Sequence, residues 1–110
     1  MKKIAQYSTE KILTRLLTNK STSNQWTYII ELRGRATDDI FRKSVLLTQS
    51  SVIKEREIGI NILAQFSIPR RHKKKIIQIF FTLLQTETSK TIISAILYGI
   101  GHNNEKLTNK

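Results

Sequence analysis

The residues with the most evident chemistry stand in one run, Arg70-Arg71-His72-Lys73-Lys74-Lys75. Positive charge at the start of a helix opposes the helix dipole, so such a run costs local stability unless an anion or a neighbouring acid compensates it. Arg70, Arg71, Lys73, Lys74 and Lys75 are therefore candidates for contact with a phosphate or an acidic partner. The competing reading is a solvated helix end in a generally basic protein. Other chemistries find few residues. The chain has no Cys, which removes disulfides and thiolate nucleophiles or ligands. His72 and His102 are far apart and neither belongs to a metal-ligand spacing. Gly99-Ile100-Gly101 is too short to cradle a phosphate and reads as a helix end. Asp38 and Asp39 are adjacent, so on a helix they point about a hundred degrees apart and form no acid/base pair. The expectation is a protein that is not an enzyme, with no cofactor and no metal.

A second group of candidates is polar and helical in spacing. Lys54, Asn61 and Gln65 fall on one stripe of a helix, Ser94, Tyr98 and His102 on another, and Asn24, Thr27 and Glu31 on a third. Their mixture of amide, hydroxyl and aromatic groups suits a protein or peptide surface better than a uniform phosphate track. For any single one of them, ordinary solvent exposure is the competing explanation.

The elements that must position these residues are helices. A chain of 110 residues makes one domain, and 39% apolar residues dominated by Ile and Leu, with only 4 Gly and 1 Pro, favour helices over the tight turns of a sandwich or barrel. The start has no apolar run of the secretory kind and no stretch is long enough for a membrane span, which makes cytoplasm the default location. The net charge of +11 attracts polyanions at long range without choosing among them.

Apolar periodicity divides the chain into six segments. The first runs from Ile4 to about Thr18 with Ile12, Leu13, Leu16 and Leu17 inward. The second, about Asn24 to Arg33, carries Trp26, Ile29 and Ile30 and closes near Gly34 as a cap. Arg33 and Arg35 flank that glycine, either presenting two guanidinium groups or complementing the helix dipole. Thr37 caps the third, where Asp38 and Asp39 precede Arg42 and Lys43 at i, i+4 and the apolar face is Ile40, Phe41, Val45, Leu46 and Leu47. The fourth spans about Val52 to Phe66 with Ile58, Ile62, Leu63 and Phe66 inward. Pro69 opens the fifth, which reaches Gln85 and is apolar over more than half its circumference, including Phe81. The sixth carries Ile92, Ile93, Ile96, Leu97 and Ile100 and ends at Gly101, leaving 103–110 as a polar tail.

Leu32, Leu63 and Leu97 superpose at a period typical of helix-pair solenoids. The residues around them, Leu32-Arg33-Gly34-Arg35-Ala36-Thr37, Leu46-Leu47 with Ser50, Glu55-Arg56-Glu57-Ile58-Gly59-Ile60, Ile62-Leu63-Ala64-Gln65-Phe66 and Ala95-Ile96-Leu97-Tyr98-Gly99-Ile100-Gly101-His102, resemble bacterial HEAT-like repeat proteins of the lyase HEAT-like kind. The resemblance covers residues 24 to 104. The chain departs from that pattern at the turns between paired helices, where Ser50-Ser51 and Thr86 to Ser89 replace the usual aspartate-proline.

The resemblance implies an all-α, right-handed α-solenoid of about three antiparallel helix pairs, with repeats at about 4–34, 37–67 and 69–102 in a single domain. The second helix of each pair would line an inner, ligand-facing side. It further implies a non-catalytic scaffold that binds another protein through its concave face, with nucleic-acid binding through the basic surface as the alternative. Two outcomes are expected of variants. Replacing Arg70, Arg71, Lys73 and Lys74 by Gln should leave the fold intact while weakening anionic partners. Leu63→Ala and Leu97→Ala should each cost about 2–5 kcal/mol in a denaturant titration if both are core positions.

Overall fold

Short hydroxyl side chains set where several helices begin, because a helix leaves its first backbone N–H groups without partners. In the computed structural model of the chain, residues 4–18, 22–35, 37–66 and 72–108 are described, and for 22–24 and 102–108 the backbone alone. Ser8 Oγ accepts from Lys11 N at 3.0 Å, Thr37 Oγ1 from Ile40 N at 3.2 Å and Ser89 Oγ from Ile92 N at 3.4 Å. A short 3-10 turn, Ile4–Gln6, is followed by α1 (Thr9–Thr18), α2 (Thr22–Arg35), α3 (Asp38–Thr48), α4 (Ile53–Ala64), α5 (Lys73–Leu84) and α6 (Lys90–Thr108). No strand occurs among the described residues, and none of their helices is long and apolar enough to cross a membrane.

Several boundaries differ from the apolar periodicity. The Ser8 cap starts the first helix at Thr9 rather than Ile4. Gly34 and Gly101 lie inside α2 and α6 and cap neither, and α6 continues through the stretch expected as a polar tail as far as Thr108. The expected start of the fifth helix at Pro69 lies outside the described residues.

Consecutive helices touch in pairs, α1 with α2, α3 with α4 and α5 with α6, and α4 also packs against α1, α2, α5 and α6. That position accounts for its burial. Every residue from Ile58 to Phe66 is buried, so the C-terminal half of α4 is covered around its circumference instead of presenting one stripe, while Ile53 to Glu57 stay partly open. The closest approach is at Gly59, where an added Cβ would stand 2.7 Å from Ser44 O, 2.8 Å from Leu47 Cβ and 2.9 Å from Thr48 N. The buried face of α3 is accordingly Ile40, Ser44 and Thr48, with both hydroxyls donating to carbonyls of their own helix, Ile40 O at 2.8 Å and Val45 O at 2.6 Å. Gly99 serves α6 in the same way, its missing Cβ leaving room for the Phe80 ring.

This packing overturns several inward assignments. Leu97 is 55% exposed, and the α6 side chains fully buried in the core are Ile92 and its neighbour Ile96. Trp26, Ile30, Leu46 and Phe81 are likewise exposed, although periodicity places them on apolar faces. In each case the neighbouring helix covers a narrower arc than the apolar residues span.

Polar clamps hold the helix ends. Arg35, at the end of α2, donates to Glu31 Oε2 (2.9 Å), Thr9 Oγ1 (3.1 Å), Tyr7 O (2.8 Å) and Ile4 O (3.3 Å), tying the N-terminal turn to α2. Its guanidinium is therefore structural and is not presented to a ligand. Lys43 pairs with Asp39 at 3.3 Å, as the i, i+4 spacing predicts, and with Glu10 of α1 at 3.4 Å. Asp38, spaced to pair with Arg42, instead meets His72, and Arg42 pairs with Asp39 at 2.8 Å.

Arg56 forms the most enclosed pair. Its Nε and Nη2 donate to Glu87 Oε1 (3.0 Å) and Oε2 (2.9 Å), and its Nη1 donates to Ser50 O (3.0 Å), joining the α3–α4 and α5–α6 connections. The Arg56 hydrogen bonds hold the Glu87 carboxyl below the ordinary carboxylate range, helped by the backbone N–H of Ser89 and opposed by burial.

The packing at Gly59 predicts that Gly59→Ala destabilises by about 1–3 kcal/mol, since the obstructing atoms are largely backbone. Gly34→Ala, with nothing within 4 Å of the new methyl, should instead stabilise α2 by about 0.5–1 kcal/mol. Urea titrations of both variants check the pair. Leu63→Ala keeps its expected cost of about 2–5 kcal/mol, whereas Leu97→Ala should cost less than about 1 kcal/mol. Because the folded pKa of Glu87 lies below its unfolded value, the pair's stabilisation is present above that unfolded value, about 4.3, and is lost as pH falls through the folded one. Glu87→Gln should lower Tm at neutral pH and flatten the decline of Tm in acid.

Candidate functional site

Among the described residues, the second members of the three helix pairs border one groove of about 700 Å³. Gln25 and Trp26 come from α2, Glu57 and Asn61 from α4, and Thr91, Ser94, Ala95 and Tyr98 from α6. Helical spacing explains the grouping. Glu57 and Asn61 are i, i+4 on α4, and Thr91, Ser94 or Ala95, and Tyr98 succeed one another along one face of α6. Trp26 and Tyr98 are 40% and 56% exposed, so the groove is bordered by two partly open aromatic rings.

Asn61 is only 9% exposed. Its amide has no hydrogen-bond partner among the described residues, while it lines the groove. The amide is not sealed from solvent, since His72 Nδ1 is the one buried side-chain nitrogen or oxygen without a partner among the described residues, so Asn61 offers its donors and acceptor to the groove. Of the nine residues that spacing places on the three stripes, Asn61, Ser94 and Tyr98 thus meet in one groove. Lys54 and Gln65 do not line it. Gln65 is buried, and its Oε1 accepts from Arg33 Nη1 at 3.5 Å. The side chains of Asn24 and His102 lie outside the described residues. Spacing alone does not mark Trp26, Gln25, Glu57 or Thr91 as groove residues, and an isolated tryptophan at an apolar period reads as core packing.

The basic run is broken up. Arg70 and Arg71 lie outside the described residues. Lys74 and Lys75 are exposed at the start of α5, but Lys73 is only 4% exposed and makes contacts of its own, so it is not part of a cationic surface. His72 is also buried. Its ring stacks on Phe41 at 4.0 Å and its Nε2 lies 3.0 Å from Asp38 Oδ1, where against a carboxylate that nitrogen carries the proton. Asp38 thereby supplies, from α3, a neighbouring acid for the start of α5.

A second groove of about 430 Å³ lies between α3 and α5, floored by Phe41, Val45, Ile79 and Leu83 with Lys75 and Gln78 at its edge. It is mainly apolar and holds no unsatisfied buried polar side chain. Comparison of the chain with protein-family models, with curated proteins and with solved structures finds no match in any of the three.

The placement of the lysines separates two roles that the run alone does not. Lys74→Gln with Lys75→Gln should change stability by no more than about 0.5 kcal/mol, while Lys73→Gln should destabilise by about 1–3 kcal/mol, since it removes an ammonium that makes contacts from a buried position. Thermal melts of the two variants distinguish them. The fourfold Gln replacement that includes Lys73 is therefore expected to lose stability, contrary to the expectation from sequence.

Proposed function

We propose that this protein is a non-catalytic helical scaffold of the HEAT-like kind, a short right-handed stack of three helix pairs that binds another protein through the face shared by α2, α4 and α6. The reading is supported by the pairing of consecutive helices and by the way second members alone border the larger groove. The observation that carries it is the composition of that groove: two exposed aromatic rings beside an asparagine whose amide opens onto it. Aromatic residues are enriched at protein interfaces and contribute much of their binding energy. A phosphate-tracking surface would instead be lined with Lys and Arg, and the described residues lining this groove include neither.

Nucleic-acid binding is the second reading. It is favoured by the net charge of +11 and by exposed Lys74 and Lys75 at the start of α5, away from the groove. The two readings make opposite demands on variants. In capture from extracts of the native cell, the Trp26→Ala, Tyr98→Ala double variant should lose the proteins that the wild type retains, and Lys74→Gln with Lys75→Gln should keep them. Affinity for DNA or RNA that falls steeply and log-linearly with salt, and that the lysine variant weakens while the groove variant does not, would favour nucleic acid instead.

A further inference from the structure

We infer that the groove between α2, α4 and α6 accepts an extended peptide segment and takes from it one basic side chain, lysine or arginine, between Trp26 and Tyr98 and against Glu57. The inference rests on the protein-binding reading above and adds the chemistry of what enters.

Glu57 is the reason for the charge. The chain has 8 acidic residues against 19 basic ones, and nearly every acid is engaged. Glu10 and Asp39 hold Lys43, Glu31 holds Arg35, Asp38 meets His72, Glu55 accepts from Ser50, and Glu87 holds Arg56. The side chain of Glu105 lies outside the described residues. Glu57 has no ion pair or hydrogen bond with any described residue, and among the described residues it is the one charged side chain lining the groove. An unpaired carboxylate in so basic a protein is a site that none of the chain's own described cations occupies. The rings of Trp26 and Tyr98 add a second attraction, because the face of an indole or phenol ring favours a cation. A phosphate or another carboxylate in this groove would meet the Glu57 charge at short range.

Asn61 is the reason for a peptide. Its amide carries one acceptor and two donors, which match the N–H and C=O of a single residue in an extended backbone. It lies one turn from Glu57 on the same face of α4, so a backbone held at Asn61 can direct a long side chain toward the carboxylate. Thr91 and Ser94 supply neutral hydrogen-bonding groups opposite. The groove's volume of about 700 Å³ falls within the range of about 300–1,000 Å³ usual for ligand sites.

The test uses a short peptide, blocked at both ends, with one arginine among glycines, and a control with glutamine in place of arginine. The chain's single tryptophan, Trp26, reports binding by fluorescence, and the Asn61 side-chain amide reports it by NMR. The arginine peptide should give saturable changes at both, at least about tenfold tighter than the control, and Glu57→Gln should remove that difference while leaving Tm and the control peptide's affinity unchanged. Equal affinity for the two peptides, or an arginine preference that survives Glu57→Gln, overturns the inference but leaves the groove a protein-binding face. No saturable response to the arginine peptide, or displacement of it by a short oligothymidylate bound at Trp26, overturns it as well. The protein-binding reading itself stands or falls separately, on capture by the Trp26→Ala, Tyr98→Ala variant.

Discussion

The architecture depends on one helix being enclosed by all the others. An α-helix satisfies its interior backbone hydrogen bonds by itself, so it is the element that can occupy the centre of a small domain without a polar partner on every side. The remaining demand is geometric. Five helices must come close to α4 at once, and the side chains between them must be small where two backbones meet. Gly59 meets that demand against α3, and Ala64 and Gly99 meet it toward α6. Ser44 and Thr48 can be buried at the tightest crossing because their hydroxyls are already spent on carbonyls of α3.

Where the apolar seams run out, at the helix ends, charge takes over. Arg35 fastens the N-terminal turn, Arg56 and Glu87 join two connections, and His72 with Asp38 links the starts of α3 and α5. Each clamp joins segments that the core leaves loosely held, and each uses an acid of which the chain has few. The net charge of +11 is thus unevenly spread: acids are concentrated in structural pairs, and the surplus of cations is left to the surface.

Much of this was legible in the sequence, and the remainder was not for identifiable reasons. The six helices, the Thr37 cap and the Asp39–Lys43 pair follow from local rules of periodicity, capping and spacing, which do not depend on neighbours. The exposure of Leu97, Trp26 and Leu46 depends on how wide an arc each neighbour covers, and apolar periodicity carries no such information. The leucine-centred repeat shows the limit well. Leu32 and Leu63 are fully buried, yet in the last segment the core position falls on Ile96, one residue earlier, because Gly99 must face Phe80. Asn61, Ser94 and Tyr98 were placed by spacing on faces that do converge, whereas Gln65, on the same predicted stripe as Asn61, turned to Arg33 instead.

The groove's local chemistry runs against the protein's overall charge, and the two act over different distances. The field of a +11 molecule repels a cationic segment at long range, but at physiological salt that field is screened beyond about 8 Å. A contact with Glu57 between aromatic walls is made inside that distance and in surroundings that screen it less than bulk water does. Rising salt therefore removes more of the repulsion than of the contact, up to the concentration at which the short-range attraction is itself screened. A phosphate backbone bound at Lys74 and Lys75 responds in the opposite sense, since its affinity comes from the counterions it releases. The sign of the salt dependence thus follows from where on the surface a partner sits, and it separates an acid-lined groove from a basic helix end even when the partner's identity is unknown.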